Sequence, residues 1–367
     1  MSVKLEDIAR ETGFSIATVS RVLANSDYPV NASVREKILG VAQAMGYRPN
    51  IAARSLRSNR TDTIGIIVDD MMSPFVPSIV RGIQDCLREN DFLSVIVNSD
   101  WDPDQEQDAI NTLISRPVDG IIFVEYSHLV HSEILEESNK PRMFVHRIFG
   151  SPIKNSVVPD DHYGAALAVR HLISLGHRRI AYINGPENWH NSRMRYVGYK
   201  DELENHNILF NSDLVQPGDW ELESGYKATQ NLSSLDDPPT AIFAANDLMA
   251  LGAVYAIQDA GLDVPKDMAV VGYDNRAFTR IVRPKITTVV MPVYEMGRVA
   301  TESLLEQIAE GREEIEEIKV QGQLIIRDTC GADEVYKARE ELNPRTAFRR
   351  ILLNKQPEGQ IAQTKGG

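Results

Sequence analysis

The pattern that most limits what this chain can fold into lies in its first 60 residues. Leu5, Ile8, Ala9 and Thr12 recur at i, i+3, i+4 and i+7, which places them on one face of a helix. Gly13 follows, a residue free to take positive φ and end that helix. Ser15 is a good N-cap for a second helix, Ile16 to Leu23, whose Val19, Val22 and Leu23 face inward. Two short helices about a tight turn at Gly13-Phe14 have the spacing of a helix-turn-helix. A third helix is expected after Asn31, with Ile38, Val41, Ala42 and Met45 on one face.

In that arrangement the second helix enters the major groove of DNA. Ile16, Ala17 and Arg21 then point at base edges. Arg21 suits guanine O6 and N7, and Ile16 and Ala17 offer apolar contact only. Ser15, Thr18 and Ser20 are placed for phosphates. Charge agrees: residues 1–60 hold nine Lys/Arg and five acids, a net +4, whereas the whole chain carries −13. A basic head on an acidic body confines phosphate attraction to one end. A small helical cap without a DNA role is the plainer alternative, and the spacing, the turn glycine and the charge together weigh against it.

Tyr47-Arg48-Pro49-Asn50 breaks the third helix, because proline disfavours helix in the residue before it. Ile51 to Leu56 is then a one- or two-turn apolar segment, too short to hold helix alone in water. Docked in a dimer, two such segments would press Leu56 into the minor groove as a wedge.

Leu5-x-Asp7-Ile8-Ala9, Ala17-Thr18-Val19-Ser20-Arg21-Val22-Leu23, Gly46-Tyr47-Arg48-Pro49-Asn50 and Ala52-Ala53-Arg54-Ser55-Leu56 resemble the lactose/galactose repressor (LacI/GalR) family. The resemblance runs to about Cys330. It implies a homodimer on a pseudo-palindromic double-stranded operator, with Asn50, Ala53 and Leu56 of the hinge also at the DNA. It implies a periplasmic-binding-protein-like core that binds a small-molecule effector. The expected organisation is a helix-turn-helix domain over 1–46, a hinge over 47–60, a core over 61–330 and a tail over 331–367. Within the core one lobe is expected from about 61–161 and 291–320, the other from 162–290 and 321–330.

The residues of the body support an α/β core independently. Ile64–Val68, Leu93–Val97, Gly120–Val124, Ile180–Ile183, Ala241–Ala244 and Ala269–Tyr273 are nearly continuous apolar runs alternating with helical stretches. That rhythm indicates parallel sheets covered on both faces. Ligands in such sheets sit outside the carboxyl ends of the strands. The loops there carry Asp69-Asp70, Phe75, Asn98-Ser99-Asp100, Glu125-Tyr126, Gly185-Pro186-Glu187, Asn246-Asp247 and Tyr273-Asp274-Asn275. Loops so rich in carboxylates and amides would suit a polyol or sugar.

For the effector the candidates are Phe75, His146, Arg147, Arg195, Trp220, Asn246 and Asp274. Arg195, in Arg195-Tyr196-Val197-Gly198-Tyr199, is similar to a family signature whose arginine touches effector. A guanidinium can clamp two ligand oxygens, and the competing role is a surface ion pair with Glu187 or Glu202. Asp274 resembles the family's effector-binding aspartate. Asn246 is assigned to ligand and Asp247 mainly to capping the next helix. Trp220 and Phe75 each suit either the apolar face of a sugar or the core. Trp189 and His190 lie in a loop that would gate the cleft or face solvent. His146-Arg147 stands where relatives often have aspartate before arginine. That pair could favour a sugar acid or phosphate, or equally donate to neutral hydroxyls.

Other classes find little support. There is no Gly-x-Gly-x-x-Gly after the first strand, no Walker loop, no Gly-x-Ser-x-Gly and no His-Glu-x-x-His, so a sugar-active enzyme is the weaker reading and no cofactor or metal is expected. No run approaches the roughly 20 apolar residues of a membrane span, and no signal peptide is visible. A cytoplasmic protein is expected, which speaks against a plain solute-binding protein. Cys86 and Cys330 are expected as buried thiols. In the tail Ala347, Ile351 and Leu352 hint at a short amphipathic helix without sustained heptads, so no coiled-coil tetramer is indicated, and Gln356 to Gly367 reads as disordered.

Overall fold

The computed structural model describes residues 3–23, 29–47, 60–125, 138–146, 153–311 and 314–332. Asn50, Ala53, Leu56, Arg147 and the tail from residue 333 therefore lie outside the described residues. The chain forms two compact units that meet in sequence between Asp62 and Thr63.

The first unit has three helices, α1 (Leu5–Thr12), α2 (Ile16–Leu23) and α3 (Ala32–Ala44). Ile8, Ala9, Val19, Val22, Ile38 and Ala42 form its core. Gly13 closes α1 at φ 74°, and its N–H donates to Ala9 O. Asn31 caps α3 by accepting from Ser33 N at 3.0 Å. Lys37 Nζ donates to Thr12 O at 3.0 Å, tying α3 to the end of α1.

The second unit contains two six-stranded sheets. The first is built from β1 (Thr63–Val68), β2 (Leu93–Asn98), β3 (Gly120–Val124), β4 (Arg142–Val145), β5 (Ser156–Pro159) and β11 (Ile318–Val320), in the order β11-β5-β4-β3-β1-β2. The second is built from β6 (Ile180–Ile183), β7 (Val215–Gln216), β8 (Ala241–Ala244), β9 (Ala269–Asp274), β10 (Thr287–Val290) and β12 (Leu324–Ile325), in the order β12-β10-β9-β8-β6-β7. All pairings are parallel except β10 with β12. Parallel neighbours require crossover helices, which cover both faces. That is why β1, β3, β6 and β8 are buried and read as unbroken apolar runs.

On the first sheet α4 (Val76–Glu89) and α10 (Val293–Glu310) pack on one face and α5 (Pro103–Ser115) on the other. On the second lie α6 (Asp161–Ser174), α7 (His190–Asn205), α8 (Leu222–Ser233) and α9 (Asp247–Asp259). The chain passes between sheets after Pro159, after Val290 and after Val320. Cys86 and Cys330 are buried thiols, and neither forms a disulfide. No described helix is long and apolar enough to cross a membrane.

Candidate functional site

On the first unit, Ser15, Ile16, Ala17 and Arg21 are exposed along one side of α2, and Thr18 and Ser20 are half-buried. Ile16 is an apolar side chain left 47% exposed at a helix start, although α2 has a core to pack against. Ser15 Oγ accepts from Thr18 N at 3.1 Å, and the Ser15 and Thr18 hydroxyls lie 2.8 Å apart. The two hydroxyls therefore also build the cap of α2, which fixes the direction in which Ile16 and Ala17 project.

In the second unit a cavity of about 280 Å³ lies at the carboxyl ends of both sheets' strands. Its lining includes Phe75 after β1, Glu125 after β3, His146 after β4, Asn246 after β8 and Asp274 at the end of β9. Arg195 from α7 and Trp220 complete it. Six of the seven residues singled out for effector thus meet at one cavity, and Arg147 is the one outside the described residues. The chain's three tryptophans, Trp101, Trp189 and Trp220, all line it.

Arg195 is the largest fully buried side chain, 1% exposed. Its Nε donates to Asp161 Oδ1 at 2.7 Å, Nη1 donates to Ala245 O, and Asp274 Oδ1 lies 3.7 Å away. The guanidinium also lies 3.7 Å from the centre of the Tyr273 ring. Burial alone would disfavour the cation, but Asp161, then Tyr273 and Asp274, outweigh it and keep Arg195 charged. The surface ion pair weighed for Arg195 is not present: Glu202 binds Arg170 at 2.7 Å instead.

Burial pushes the Asp274 carboxyl well above the usual carboxylate range, Arg195 pulls it back, and Asp247 raises it again. Asp274 Oδ1 has no hydrogen-bond partner among the described residues, and neither has the buried Trp220 indole N–H. Both residues line the cavity, but these two atoms are turned away from its open space, and burying them unpaired is costly. Trp220 sits at φ 74° and meets Trp189 edge-on, with ring centres 5.7 Å apart.

Two assignments change. The cap expected of Asp247 belongs to Asn246, whose Oδ1 accepts from Met249 N at 2.8 Å while its Nδ2 donates to Trp220 O at 2.8 Å. Asn246 thereby lines the cavity and also pins Trp220. Asp247 is instead buried between β10 and the loop after β9, accepting from Thr288 Oγ1 at 2.6 Å and from Arg276 N at 2.7 Å. Burial pushes its carboxyl up to about 7. Arg193 staples the loop before α7, donating to Asn188 O at 2.9 Å.

Sequence reasoning missed two relationships. Asp161 is the partner of Arg195, 34 positions away, and the only signal was a second acid after Asp160 at the start of α6. Asp160 caps α6 by accepting from Tyr163 N, which leaves Asp161 free to turn inward. The other is Glu125, whose Oε1 lies 3.0 Å from His146 Nδ1. Both residues are buried and left-handed, at φ 57° and 60°.

Comparison with known proteins agrees with this architecture. Residues 4–50 match the model described as bacterial regulatory proteins, lacI family, and residues 169–330 match a periplasmic binding protein-like domain. Catabolite control protein A of Priestia megaterium is 37% identical over 302 residues, 82% of this chain and 91% of the relative. The transcriptional repressor CytR of Escherichia coli K12 is 34% identical over 305 residues, 83% and 89% of the two chains. Among solved structures, the Lac repressor dimer bound to operator and the anti-inducer ONPF superposes with a TM-score of 0.70 at 27% identity, covering 90% of this chain and 99% of that one. The regulator CelR in complex with cellobiose gives 0.64 at 30% identity, covering 89% and 99%. These relatives regulate transcription and are not enzymes. This chain belongs to the LacI family of bacterial transcriptional regulators.

Proposed function

We propose that this regulator is a cytoplasmic repressor that binds a pseudo-palindromic operator as a homodimer and is controlled by a sugar or sugar derivative bound in the cavity between the two sheets. The observation that carries the reading is the convergence on that cavity of hydrogen-bonding and aromatic side chains from the strand ends of both sheets, among them His146, Asn246, Asp274, Arg195, Phe75 and Trp220. A ring with hydroxyls on its edge and C–H groups on its faces matches such a lining. Solved neighbours named for cellobiose and ribose support a carbohydrate.

In this reading Arg195, Asp274 and His146 bind ligand hydroxyls, Trp220 and Phe75 pack on the ring, and Asn246 holds Trp220 in place. On the DNA side Ile16, Ala17 and Arg21 read bases, Ser15, Thr18 and Ser20 lie against phosphates, and Asn50, Ala53 and Leu56 act at the hinge. Ligand changes operator affinity only by preferring one arrangement of the lobes, a coupling of about 1–3 kcal/mol in typical cases.

The test is titration of the protein against its own upstream DNA with and without sugars, sugar acids and nucleosides. A compound that shifts specific binding, and fails to do so with Arg195→Ala, is the expected result. Absence of specific binding at low salt would overturn the reading.

A further inference from the structure

The wall of the cavity formed by the first sheet does more than close it. Glu125 and His146 end two neighbouring parallel strands, β3 and β4, and hold each other at 3.0 Å while buried to 2% and 4% exposure. The contact uses His146 Nδ1, Nε2 has no hydrogen bond among the described residues, and Phe75 meets the ring edge-on at 5.4 Å. Glu125 Oε2 likewise has no hydrogen-bond partner among the described residues.

Charge around the cavity is lopsided. Among the described residues Asp70, Glu125 and Glu221 line it, against Arg195 and Arg276, while Asp274, whose carboxyl burial pushes well above the usual carboxylate range, adds little negative charge. Arg195 is already held by Asp161 at 2.7 Å, which is a further acid. Arg276 is half-buried, with its guanidinium over Phe278. Low-dielectric walls lined mainly by one sign focus that field into a cleft.

We infer that the Glu125–His146 pair is the specificity determinant of this cleft, and that it admits an uncharged hydroxyl-bearing ligand while rejecting sugar acids and sugar phosphates. The inference rests on the cavity being the effector site. The chemistry is that of matched donors and acceptors. Beside Glu125 Oε2, His146 Nε2 is an acceptor when the ring is neutral and a donor when it is protonated. A hydroxyl satisfies either state, because it both donates and accepts. A carboxylate or ionised phosphate oxygen only accepts: it is matched by His146 Nε2 only when the ring is protonated, and in either state it stands beside Glu125 Oε2 with a like charge. Of the two ligand classes that His146-Arg147 left open in the sequence, the contact of His146 with a buried carboxyl group favours the neutral one.

The three tryptophans allow a test that needs no knowledge of the ligand, because all of them line this cavity. Fluorescence of the full-length protein is quenched with iodide and with caesium at low and equal ionic strength, each referenced to N-acetyltryptophanamide. An electronegative cleft makes the normalised caesium constant exceed that of iodide by about twofold or more. Glu125→Gln, which keeps the shape of the side chain, and Asp70→Asn, in the loop after β1, must each lower that ratio. A wild-type ratio at or below one, or a ratio untouched by both variants, overturns the proposal. So does a sugar phosphate or aldonate that binds more tightly than its uncharged parent sugar. These outcomes differ from failure of the effector reading itself, in which operator binding responds to no ligand while the ion quenching is as expected.

Discussion

Arg195 and Asp161 form a buried ion pair, Nε to Oδ1 2.7 Å, that joins the first turn of α6 to the first turns of α7. Neither side chain is more than 4% exposed. Taking a charge out of water costs several kcal/mol, so each partner depends on the other. The pair holds the guanidinium beside Asp274, at the wall where a ligand would be clamped.

Arg195→Ala is expected to bind operator and to ignore effector. It also leaves Asp161 and Asp274 without their cation, at a stability cost of about 3–5 kcal/mol. Operator titration with and without the effector, run beside a thermal melt, separates the two effects. An effector response of normal size in a folded variant would remove Arg195 from the site.

Leu56→Ala, a change in the hinge, should lose operator affinity and keep ligand affinity, because a minor-groove wedge acts only on the duplex. Equal loss of ligand binding would sink the hinge assignment.

Arg21→Ala should cost about 1–3 kcal/mol of specific operator binding and relax preference at one base pair of each half-site. The readout is a competition between operators carrying single substitutions. Uniform weakening on every operator would instead make Arg21 a phosphate contact.

Gly198 lies on α7 three residues beyond Arg195, where a Cβ would come within 2.3 Å of His162 O on α6. The two helices touch through backbone there, so Gly198→Ala must push α7 outward, at about 1–3 kcal/mol. The displacement carries Arg195 with it. Effector affinity is expected to fall more than operator affinity, and equal affinities for effector in variant and wild type would contradict this.

Glu106 on α5 is buried, and burial, followed by the charge of Asp69, pushes its carboxyl from 4.5 up to about 7. A group whose pKa is raised by folding contributes stability below its unfolded pKa and loses it as pH climbs to the folded one. Melting temperature should therefore fall between about pH 4.5 and 7 in the wild type relative to Glu106→Gln, by up to roughly 3 kcal/mol in stability. Parallel pH profiles for the two proteins would disprove the assignment.

The fold class was legible because burial on both sides leaves its mark on a strand. Gly120–Val124 and Ile180–Ile183 are buried throughout, and their sequences carry no polar residue to hide them. Strands such as Val215–Gln216 and Leu324–Ile325 are two residues long and carry no such mark. In the site, residues that follow strand ends could be named one by one, since position after a parallel strand is a local property. Their pairings could not. Asp161 reaches Arg195 across 34 positions and Glu125 reaches His146 across 21, each through sheet order and helix packing. The exchange of roles between Asn246 and Asp247 was illegible for another reason: both side chains can cap a helix, and the choice rests on Thr288, which β10 brings from 41 residues on.

The passage of the chain back to the first sheet after Val290 also sets an order of events during synthesis. Residues 63–159 supply five of that sheet's six strands, but Met296, Ala300 and Leu304 of α10, which bury Ile79 and Ile83 of α4, emerge only after the whole second sheet through β10 has been made. On the ribosome the first lobe must wait, with an apolar helix face uncovered, while five of its neighbour's six strands are made. A chain truncated before Val293 would leave that face open to aggregation, so α10 and β11, made after β10 of the second sheet, are the elements that close the first lobe to be started.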